Sequence, residues 1–527
     1  MSVLLALEAA NATVDRGYVV EEAYDALHWA LQEAQVAYPA EAGAFTVRQG
    51  PEGPRGEPLL APEVLMRMAA AYTQRTLTPE ECRLYLHVVD CPAVLPPPAG
   101  GTHLALRAAA GIVPVEDLAV ESIAGTRVRV LSELPGDLGP LLAGLEQASG
   151  IELAWDPLAG GDLRAHLAGG RLPDVAIVSQ PAEVSAAARD GSLLDVDGVV
   201  DTSALRREAG EYLVGLGTAA GADGSPGLYG APIAATVDDL LWYPSAAFAA
   251  AGYEPPSTPG QLASLVATIR RDGRIPWCLG TEAGSQTGSA AARWVEDDLL
   301  EVAGQDTYDR WVTGNLPFDS PEVRAAITSF GGLALADGAV LDGYAAVGRT
   351  PEAIAGLGML LDPPRCWLYR GTSTDRSRLK GKGLATPAAV PYPGSGPAAS
   401  PVLGRLYLVV VLHDRPEVRR VVESLLGAPL AASIAAELGT GGVFPVRVAG
   451  PPADRAAGSQ ASRLRAAVDA GTFRVRATDL FPAEISAAFL KGVEGYVDGY
   501  GDRGPSRLDV AVWAGDGAWA QVRREGQ

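Results

Sequence analysis

The chain has 527 residues, of which 48% are hydrophobic and 20% are charged, and its formal net charge at pH 7 is −21. A single hydrophobic core stops growing at roughly 250–300 residues, so this length predicts two or more domains. The acidic balance excludes binding to a nucleic-acid backbone, which needs clustered cations. No apolar run reaches the roughly 18 residues of a membrane span, so we expect no direct membrane insertion.

Residues 1–92 predict a small, mainly helical domain. Amphipathic patterns cover 19–35 and 62–75, and a Gly- and Pro-rich connection at 47–60 is typical of a hairpin. Thr78 followed by Pro79 has the residue types of a helix start. The phrase LTPEECRLYLHVVDCP resembles a short helical segment of large multidomain bacterial regulators.

Two cysteines of this domain, Cys82 and Cys91, have His87 between them. Structural zinc sites use closer pairs and more ligands, so we expect no metal here. Buried free thiols and a local disulfide both remain open. No motif in the chain predicts a cofactor, and a Pro- and Gly-rich linker follows at 93–122.

The N-terminal segment MSVLLALEAANATVDRG does not have the pattern of a secretory signal. It has no basic region at its start, its apolar run is short, and Glu8 interrupts that run. We therefore expect a cytoplasmic protein as the chain stands, or an extracytoplasmic one if the chain is a processed or truncated form.

The next segment predicts a βαβαβ unit, which implies a parallel sheet with right-handed crossovers. Its predicted elements are strands at 126–131, 151–155 and 174–178 and helices at 138–148 and 162–168. Strands of such sheets present ligand groups from their carboxyl ends. Glu133 and Gln180 follow the first and third strands directly, which makes them candidate ligand contacts.

The stretch 227–311 continues the alternation of strand and helix. An apolar segment at 240–243 predicts a strand, and a helical pattern at 246–251 ends at Gly252. Thr258 and Pro259 then start another helix. Further along, 406–412 predicts a buried strand, and helices are predicted at 321–337, 415–438, 459–470 and 482–499.

Several short sequence segments in this part of the chain carry a family resemblance. They are LYGAP, LLWYPSAAFAAAGYEPPSTPGQL, PWCLG, RWVEDDLL, YDRWVTGNLPFDSPEV and PPRCWLYRGTST. In this order they resemble the sugar receptors of ABC importers, which are bacterial extracellular solute-binding proteins of the maltose-binding type. The segments LPDVAIVSQPAEV and FRVRATDLFPAEISAAFLKGVEGYVDG are similar to the family's segments that border the ligand cleft.

The resemblance implies an α/β, two-lobed periplasmic-binding-protein-like fold of type II, preceded by the small helical domain. We predict that 123–235 and 386–445 form the first lobe, and that 236–385 and 446–520 form the second. Two lobes joined by a few crossings can close like a hinge around a ligand.

The resemblance also implies where a sugar would be held, because sugar sites combine aromatic faces with amide and carboxylate groups. The candidates are Glu133, Gln180, Thr236, Glu282, Gln286, Trp367, Tyr369 and Arg370. Cys278 and Cys366 lie in segments where the resemblance implies a cysteine pair. Such a pair would form a disulfide in an oxidising compartment and stay as reduced thiols in the cytosol.

The chain departs from the family pattern at several ligand positions. Ile233, Thr236, Ser289 and Leu490 stand where the subgroup has aromatic or acidic residues. Each lost stacking aromatic removes about 0.5–1.5 kcal/mol beyond area burial, so these changes predict weaker or altered sugar binding.

Three functions remain open from the sequence. The first is non-catalytic binding of a small solute, a carbohydrate by resemblance, with an ABC permease as partner. The second is a degenerate solute-binding domain that acts as sensor or scaffold among the other domains of a cytoplasmic regulator. The third is glycoside cleavage, but no nucleophile, phosphate-loop or zinc-protease motif is present, and Glu296, Asp297 and Asp298 predict a helix with a solvated acidic face.

Overall fold

A computed structural model describes residues 46–50, 53–57, 127–135, 138–149, 151–158, 163, 172–379, 385–394, 401–427, 434, 438–447 and 459–525. The chain divides into two compact units, Met1–Glu121 and Ser122–Gln527. The described residues of the first unit form an antiparallel hairpin of β1 (Thr46–Gly50) and β2 (Gly53–Glu57). The helices predicted in this unit and the Cys82 and Cys91 alternatives lie outside the described residues.

The second unit begins with alternating strands and helices, as the sequence predicts. Their bounds are β3 (Arg127–Ser132), α1 (Gly139–Ser149), β4 (Glu152–Pro157), β5 (Val175–Val178), α2 (Pro181–Arg189), α3 (Thr202–Leu216), β6 (Thr218–Ala220), β7 (Pro226–Leu228) and β8 (Ala231–Ala235). The helix predicted at 162–168 falls almost entirely outside the described residues.

The middle of this unit is mainly helical. Its elements are β9 (Leu240–Pro244), α4 (Ser245–Ala251), α5 (Pro259–Arg271), α6 (Ser289–Ala303), α7 (Gln305–Val312), α8 (Pro321–Phe330), α9 (Tyr344–Val347), α10 (Glu352–Ala355), β10 (Tyr369–Gly371), α11 (Asp375–Arg378) and β11 (Pro387–Pro391). Side chains cap two of the helices whose first residue is proline. Thr258 accepts from the Gln261 amide and Ser320 accepts from the Val323 amide.

The last part contains β12 (Val402–Gly404), β13 (Leu406–Val411), α12 (Pro416–Leu425), β14 (Phe444–Pro445), α13 (Gln460–Ala470), β15 (Phe473–Val475), α14 (Ala477–Leu480), α15 (Ala483–Asp498) and α16 (Tyr500–Glu525). Within the described ranges, no helix combines the length and the apolar character that crossing a membrane requires.

A six-stranded sheet forms what we call the first lobe, together with the helices packed on it. Its strand order is β14-β8-β13-β5-β3-β4. Strand β3 is parallel to β4 and β5, whereas β13 is antiparallel to both β5 and β8, so β8 runs parallel to β5. The carboxyl ends of β3, β4, β5 and β8 therefore lie along one edge of the sheet.

A three-stranded antiparallel sheet, β10-β9-β11, and the helices around it form the second lobe. Its core is rich in aromatic rings, and Trp311 packs edge-on against Phe318, Phe481 and Phe489 at centroid distances of 5.0–5.3 Å. The parallel pair β12–β15 joins the two cores, since Val402 packs in the first and Leu403 in the second.

A disulfide joins Cys278 and Cys366, the pair that the family resemblance implies, with a Cα–Cα distance of 5.3 Å. It links the segment after α5 to the residues just before β10, across 88 positions of sequence. Because Cys278 and Cys366 are both buried, the bond lies inside the protein rather than on its surface.

Removing this bond should destabilise the chain. Closing a loop of this length restricts the unfolded chain, so Cys278→Ala and Cys366→Ala should each lower the free energy of unfolding by about 2–5 kcal/mol, measured by guanidinium unfolding. The double variant serves as the control, because the second substitution has no bond left to break. A double variant whose loss equals the sum of the two single losses would show that packing, not the bond, is responsible.

Candidate functional site

The carboxyl edge of the first-lobe sheet brings together residues that are distant in sequence. Glu133 follows β3, Gln180 follows β5, Thr236 follows β8, and Arg405 directly precedes β13. The Glu133 Oε2 atom accepts a hydrogen bond of 2.7 Å from the Ser179 amide, which holds this carboxylate against the end of β5. The carboxyl edge predicted from the βαβαβ pattern is therefore present, and these four residues lie along it.

The second carboxylate oxygen of Glu133 is exceptional. Oε1 is buried and has no hydrogen-bond partner within the described part of the chain. Burial raises the pKa of Glu133 to about 7, although the Ser179 hydrogen bond and the Arg405 charge oppose this shift; the Asp479 charge adds to it. A buried acceptor without a donor is unfavourable by about 1–3 kcal/mol, so this oxygen is a natural contact for a ligand hydroxyl.

The segments that pass between the lobes are tied together by main-chain hydrogen bonds. The Thr236 amide donates to the Arg405 carbonyl at 3.0 Å, the Asp238 amide to the Leu403 carbonyl at 2.8 Å, and the Arg476 amide to the Gly404 carbonyl at 3.0 Å. A Cβ atom on Gly404 would lie 2.1 Å from the Thr236 carbonyl oxygen, so only glycine allows this close approach.

A series of ion pairs and hydrogen bonds, made by side chains and two main-chain amides, lies next to these crossings. We call this group of residues the hinge ring. Its members are Thr236, Asp238, Glu296, Arg405, Arg476, Thr478 and Asp479. On one side, Arg405 Nε lies 3.2 Å from Asp479 Oδ2, and the Arg405 amide donates to Thr236 Oγ1 at 3.1 Å. Thr236 Oγ1 in turn donates to Asp238 Oδ1 at 2.6 Å.

The other side of the ring is formed by the second lobe. Arg476 lies 4.0 Å from Asp238 and 3.4 Å from Glu296, and all three side chains are almost completely buried. Glu296 also accepts from the Thr478 amide at 3.0 Å, and Thr478 is the neighbour of Asp479. The Thr478 hydroxyl is buried and has no partner among the described residues.

The prediction of a solvated acidic face on α6 is wrong. Glu296, Asp297 and Asp298 are only 0%, 1% and 8% exposed. Helical periodicity classifies carboxylates as outward-facing, but here Arg476 pairs with Glu296 and Arg370 pairs with Asp297. These arginines lie 180 and 73 residues further along the chain, so no local sequence pattern predicts the pairing.

The structure places the candidates from β10 and its approach inside the second lobe. Trp367 is 5% exposed and packs against Phe248 and Tyr253, with the Arg274 guanidinium 4.5 Å above its ring. Tyr369 is equally buried, and burial raises its pKa well above the usual range. That Trp367 and Tyr369 contact a ligand stays a prediction.

The other candidates divide between exposed and hinge positions. Glu282 and Gln286 are exposed near the start of α6, where Glu282 caps the Gly284 amide at 3.2 Å. Thr236 belongs to the hinge ring, and Arg370 is buried against Asp297. The ring residues Arg405, Arg476 and Asp479 were not singled out from the sequence, although FRVRATDLFPAE was matched to a segment bordering the cleft.

Two of the departures from the family pattern have structural roles here. Ser289 Oγ donates to Glu352 Oε2 at 2.9 Å, next to the buried pair of Arg293 and Glu352. Leu490 is buried in the second-lobe core. Neither residue is free to stack on a ligand.

Comparison with known proteins identifies similar proteins that are named for the compounds they bind. The chain is 32% identical over 391 residues to an alpha-glucosides-binding periplasmic protein of Rhizobium meliloti (strain 1021), covering 72% of this chain and 82% of the relative. It is also 32% identical over 231 residues to an osmoprotective compounds-binding protein of Synechocystis sp. (strain ATCC 27184 / PCC 6803 / Kazusa), covering 44% of this chain and 54% of that protein. No protein-family model matches.

Solved structures share the fold. A bacterial solute receptor with a preference for β-D-galactopyranose aligns with a TM-score of 0.61 at 14% identity, covering 75% of this chain and 99% of that one. A maltose-bound protein of T. maritima aligns with a TM-score of 0.54 at 16% identity, with the same coverage.

The two lobes, their tied crossings and the buried polar groups between them define a two-lobed solute receptor of type II, as predicted. The first relative is similar enough, over enough of its length, to make the assignment specific. The chain belongs to the sugar-binding subgroup of the ABC-transporter solute-binding proteins.

The prediction of a cytoplasmic protein is wrong. The similar protein of Rhizobium meliloti is periplasmic, and the family works outside the cytoplasm. The inference rested on the N-terminal residues alone, which carry no information about where the two-lobed unit works. The Cys278–Cys366 disulfide agrees with an oxidising compartment. Neither relative is described as a regulator, so nothing supports other regulatory domains as partners.

Breaking the hinge ring should be strongly destabilising. Arg476→Ala would leave Glu296 and Asp238 buried without their cation, so we expect a loss of about 3–5 kcal/mol in the free energy of unfolding. Guanidinium unfolding measures the loss. The matched control is Arg419→Ala, which breaks an exposed pair with Asp414 and should change stability by less than about 1 kcal/mol. Equal losses in both variants would contradict the role of the ring.

Proposed function

We propose that the protein binds a neutral glycoside, such as an α-glucoside, between its lobes and delivers it unchanged to an ABC permease. The relatives support the ligand class, since one is named for α-glucosides and the other for osmoprotective compounds. The fold supports the mechanism, because lobes joined by tied crossings can close around a solute.

One observation carries this proposal. Glu133 Oε1 on the first lobe and Thr478 Oγ1 on the second are both buried and lack partners in the described structure. Asp479, the neighbour of Thr478, is close enough to raise the pKa of Glu133 electrostatically. Glu133 and the Thr478–Asp479 segment therefore lie near one another, and we propose that sugar hydroxyls donate to the Glu133 carboxylate and bond with the Thr478 hydroxyl.

The charge at this junction favours an uncharged ligand. The carboxylates of Glu133, Asp238, Glu296 and Asp479 outnumber the guanidinium groups of Arg405 and Arg476. A second negative charge from the ligand would be repelled, whereas neutral hydroxyls can both donate to carboxylates and accept from guanidinium groups. We propose that Gln180, at the start of α2, adds an amide contact to the ligand.

Binding without turnover fits the acidic residues of α6. Glycoside hydrolysis needs a carboxylic acid and a carboxylate that face the glycosidic bond. Glu296 and Asp297 are instead committed to buried pairs with Arg476 and Arg370. We therefore infer that the protein returns its ligand chemically intact.

Removing the Glu133 carboxylate should weaken the binding of the ligand. A hydrogen bond to a charged group contributes about 1.5–3 kcal/mol, so Glu133→Ala should raise the Kd about 10- to 100-fold. A thermal-shift screen of neutral mono- and oligosaccharides first finds the ligand, and calorimetric titration then measures Kd. Thr478→Val, which keeps the shape and removes the hydroxyl, should weaken binding by up to about tenfold.

The matched control is Glu211→Ala, an exposed carboxylate on α3, whose Kd should equal that of the unaltered protein. Equal Kd values for Glu133→Ala and the control would contradict the proposed contact. Chromatography of the ligand after prolonged incubation should recover it intact, and cleavage products would overturn binding without turnover. No shift with any sugar would instead favour a degenerate cleft that serves as a sensor or scaffold.

A further inference from the structure

A second group of carboxylates, two buried and one half-buried, lies beside the hinge, and we call it the junction cluster. It consists of Asp239, Asp297 and Glu301, each of which offers one oxygen within 4.8 Å of the others. Asp239 directly follows Asp238 of the hinge ring at the start of the second lobe. Asp297 and Glu301 are four residues apart on α6 and so share one face of that helix.

Two arginines partly balance the cluster. Arg463 on α13 donates to both oxygens of Asp239, and Arg370 on β10 pairs with Asp297 while lying 4.7 Å from the centre of the Tyr392 ring. The neighbouring charged or polar groups from all elements packed here are Asp239, Asp297, Asp298, Glu301, Ser329, Arg370, Tyr392 and Arg463. Four carboxyl groups therefore face two guanidinium groups.

Buried unpaired atoms occur on both the basic and the acidic side of the cluster. On the basic side, Arg370 Nε and Nη1 have no hydrogen-bond partner among the described residues. Asp297 Oδ1, in a side chain that is only 1% exposed, has no hydrogen-bond partner in the described ranges, and Glu301 Oε2 is likewise buried and unpaired. The space beside Glu301 is closed as well, because a Cβ atom on Gly394 would lie 1.8 Å from its Oε2. Ionised carboxylates in this state would carry uncompensated buried charge, which is strongly unfavourable.

Protonation removes one of these negative charges and turns one carboxylate oxygen into an O–H donor. Burial raises the pKa values of Asp239, Asp297 and Glu301 above the usual carboxyl range, and mutual repulsion between the carboxylates raises those of Asp297 and Glu301 further. Because these groups interact, protons belong to the cluster rather than to one residue.

We propose that the junction cluster is a proton-binding site, which holds at least one proton between Asp297 and Glu301 at neutral pH and makes the hinge sensitive to alkaline pH. When the pH rises and the proton leaves to solvent, the cluster together with its neighbour Asp298 carries two unmatched negative charges beside Asp238. The contact between the crossing and α6 then weakens by repulsion.

The sign of the pH effect follows from linkage. A carboxyl group whose pKa is raised in the folded state contributes stability that is fully present below its unfolded pKa and is lost as the pH rises through the folded pKa. The apparent Tm of the protein should therefore fall from about pH 5 to about pH 10. Glu301→Gln keeps the shape and cannot ionise, so its Tm should fall less over this range.

Infrared spectroscopy gives a direct readout on the unaltered protein. At neutral pH its difference spectrum should contain the carbonyl stretch of a protonated carboxyl group, which disappears on titration to about pH 10. The Glu301→Gln protein should have a weaker band than the unaltered protein, with the remainder from Glu133, whose pKa is also raised. The control Glu322→Gln, an exposed residue on α8, should keep the full band.

Two results would overturn the proposal. One is the absence of a protonated-carboxyl band in the unaltered protein at neutral pH, which decides the matter even if Glu301→Gln fails to fold. The other is a rise in Tm at alkaline pH with millimolar Ca²⁺, present in the unaltered protein and lost in Glu301→Gln, since the cluster would then hold a metal ion instead of a proton.

Discussion

Arg476 lies between Glu296 and Asp238 at the point where the chain passes from one lobe to the other, and the two-lobed arrangement depends on this buried contact. Removing ions from water is unfavourable by several kcal/mol each, and only close pairing offsets that loss. The pairing is satisfied only when the crossings at Thr236 and Arg405 keep their register. The hinge ring thus fixes where the lobes meet, in a way that apolar packing alone would not.

The same constraint explains why unpaired polar groups are informative here. Around the ring nearly every charged group has a partner, so Glu133 Oε1 and Thr478 Oγ1 stand out as open positions. Their location on opposite lobes connects stability to function, because a solute that bonds with both would favour the closed arrangement. At the junction cluster next to the ring, four carboxyl groups face two guanidinium groups, and a proton reduces this excess of negative charge, which a neutral sugar does not.

Much of the fold could be predicted from the sequence. Alternation gives the strands β3, β4 and β5, and a capping residue followed by proline gives the starts of α5 and α8. The disulfide came from resemblance, not from spacing. The burial of Glu296 could not be predicted, because its partner Arg476 is 180 residues away and periodicity assigns carboxylates to solvent. The packing of Trp367 against Phe248 and Tyr253 could not be predicted either, because these residues are distant in sequence, and its role as a ligand contact stays a prediction.

A crystal structure of the protein with the sugar that stabilises it most would test the central claim directly. The account predicts a sugar hydroxyl within hydrogen-bond distance of Glu133 Oε1, with the ligand enclosed between the carboxyl edge of the first-lobe sheet and α14. A sugar bound elsewhere, with no hydrogen bond to Glu133 Oε1, would contradict it.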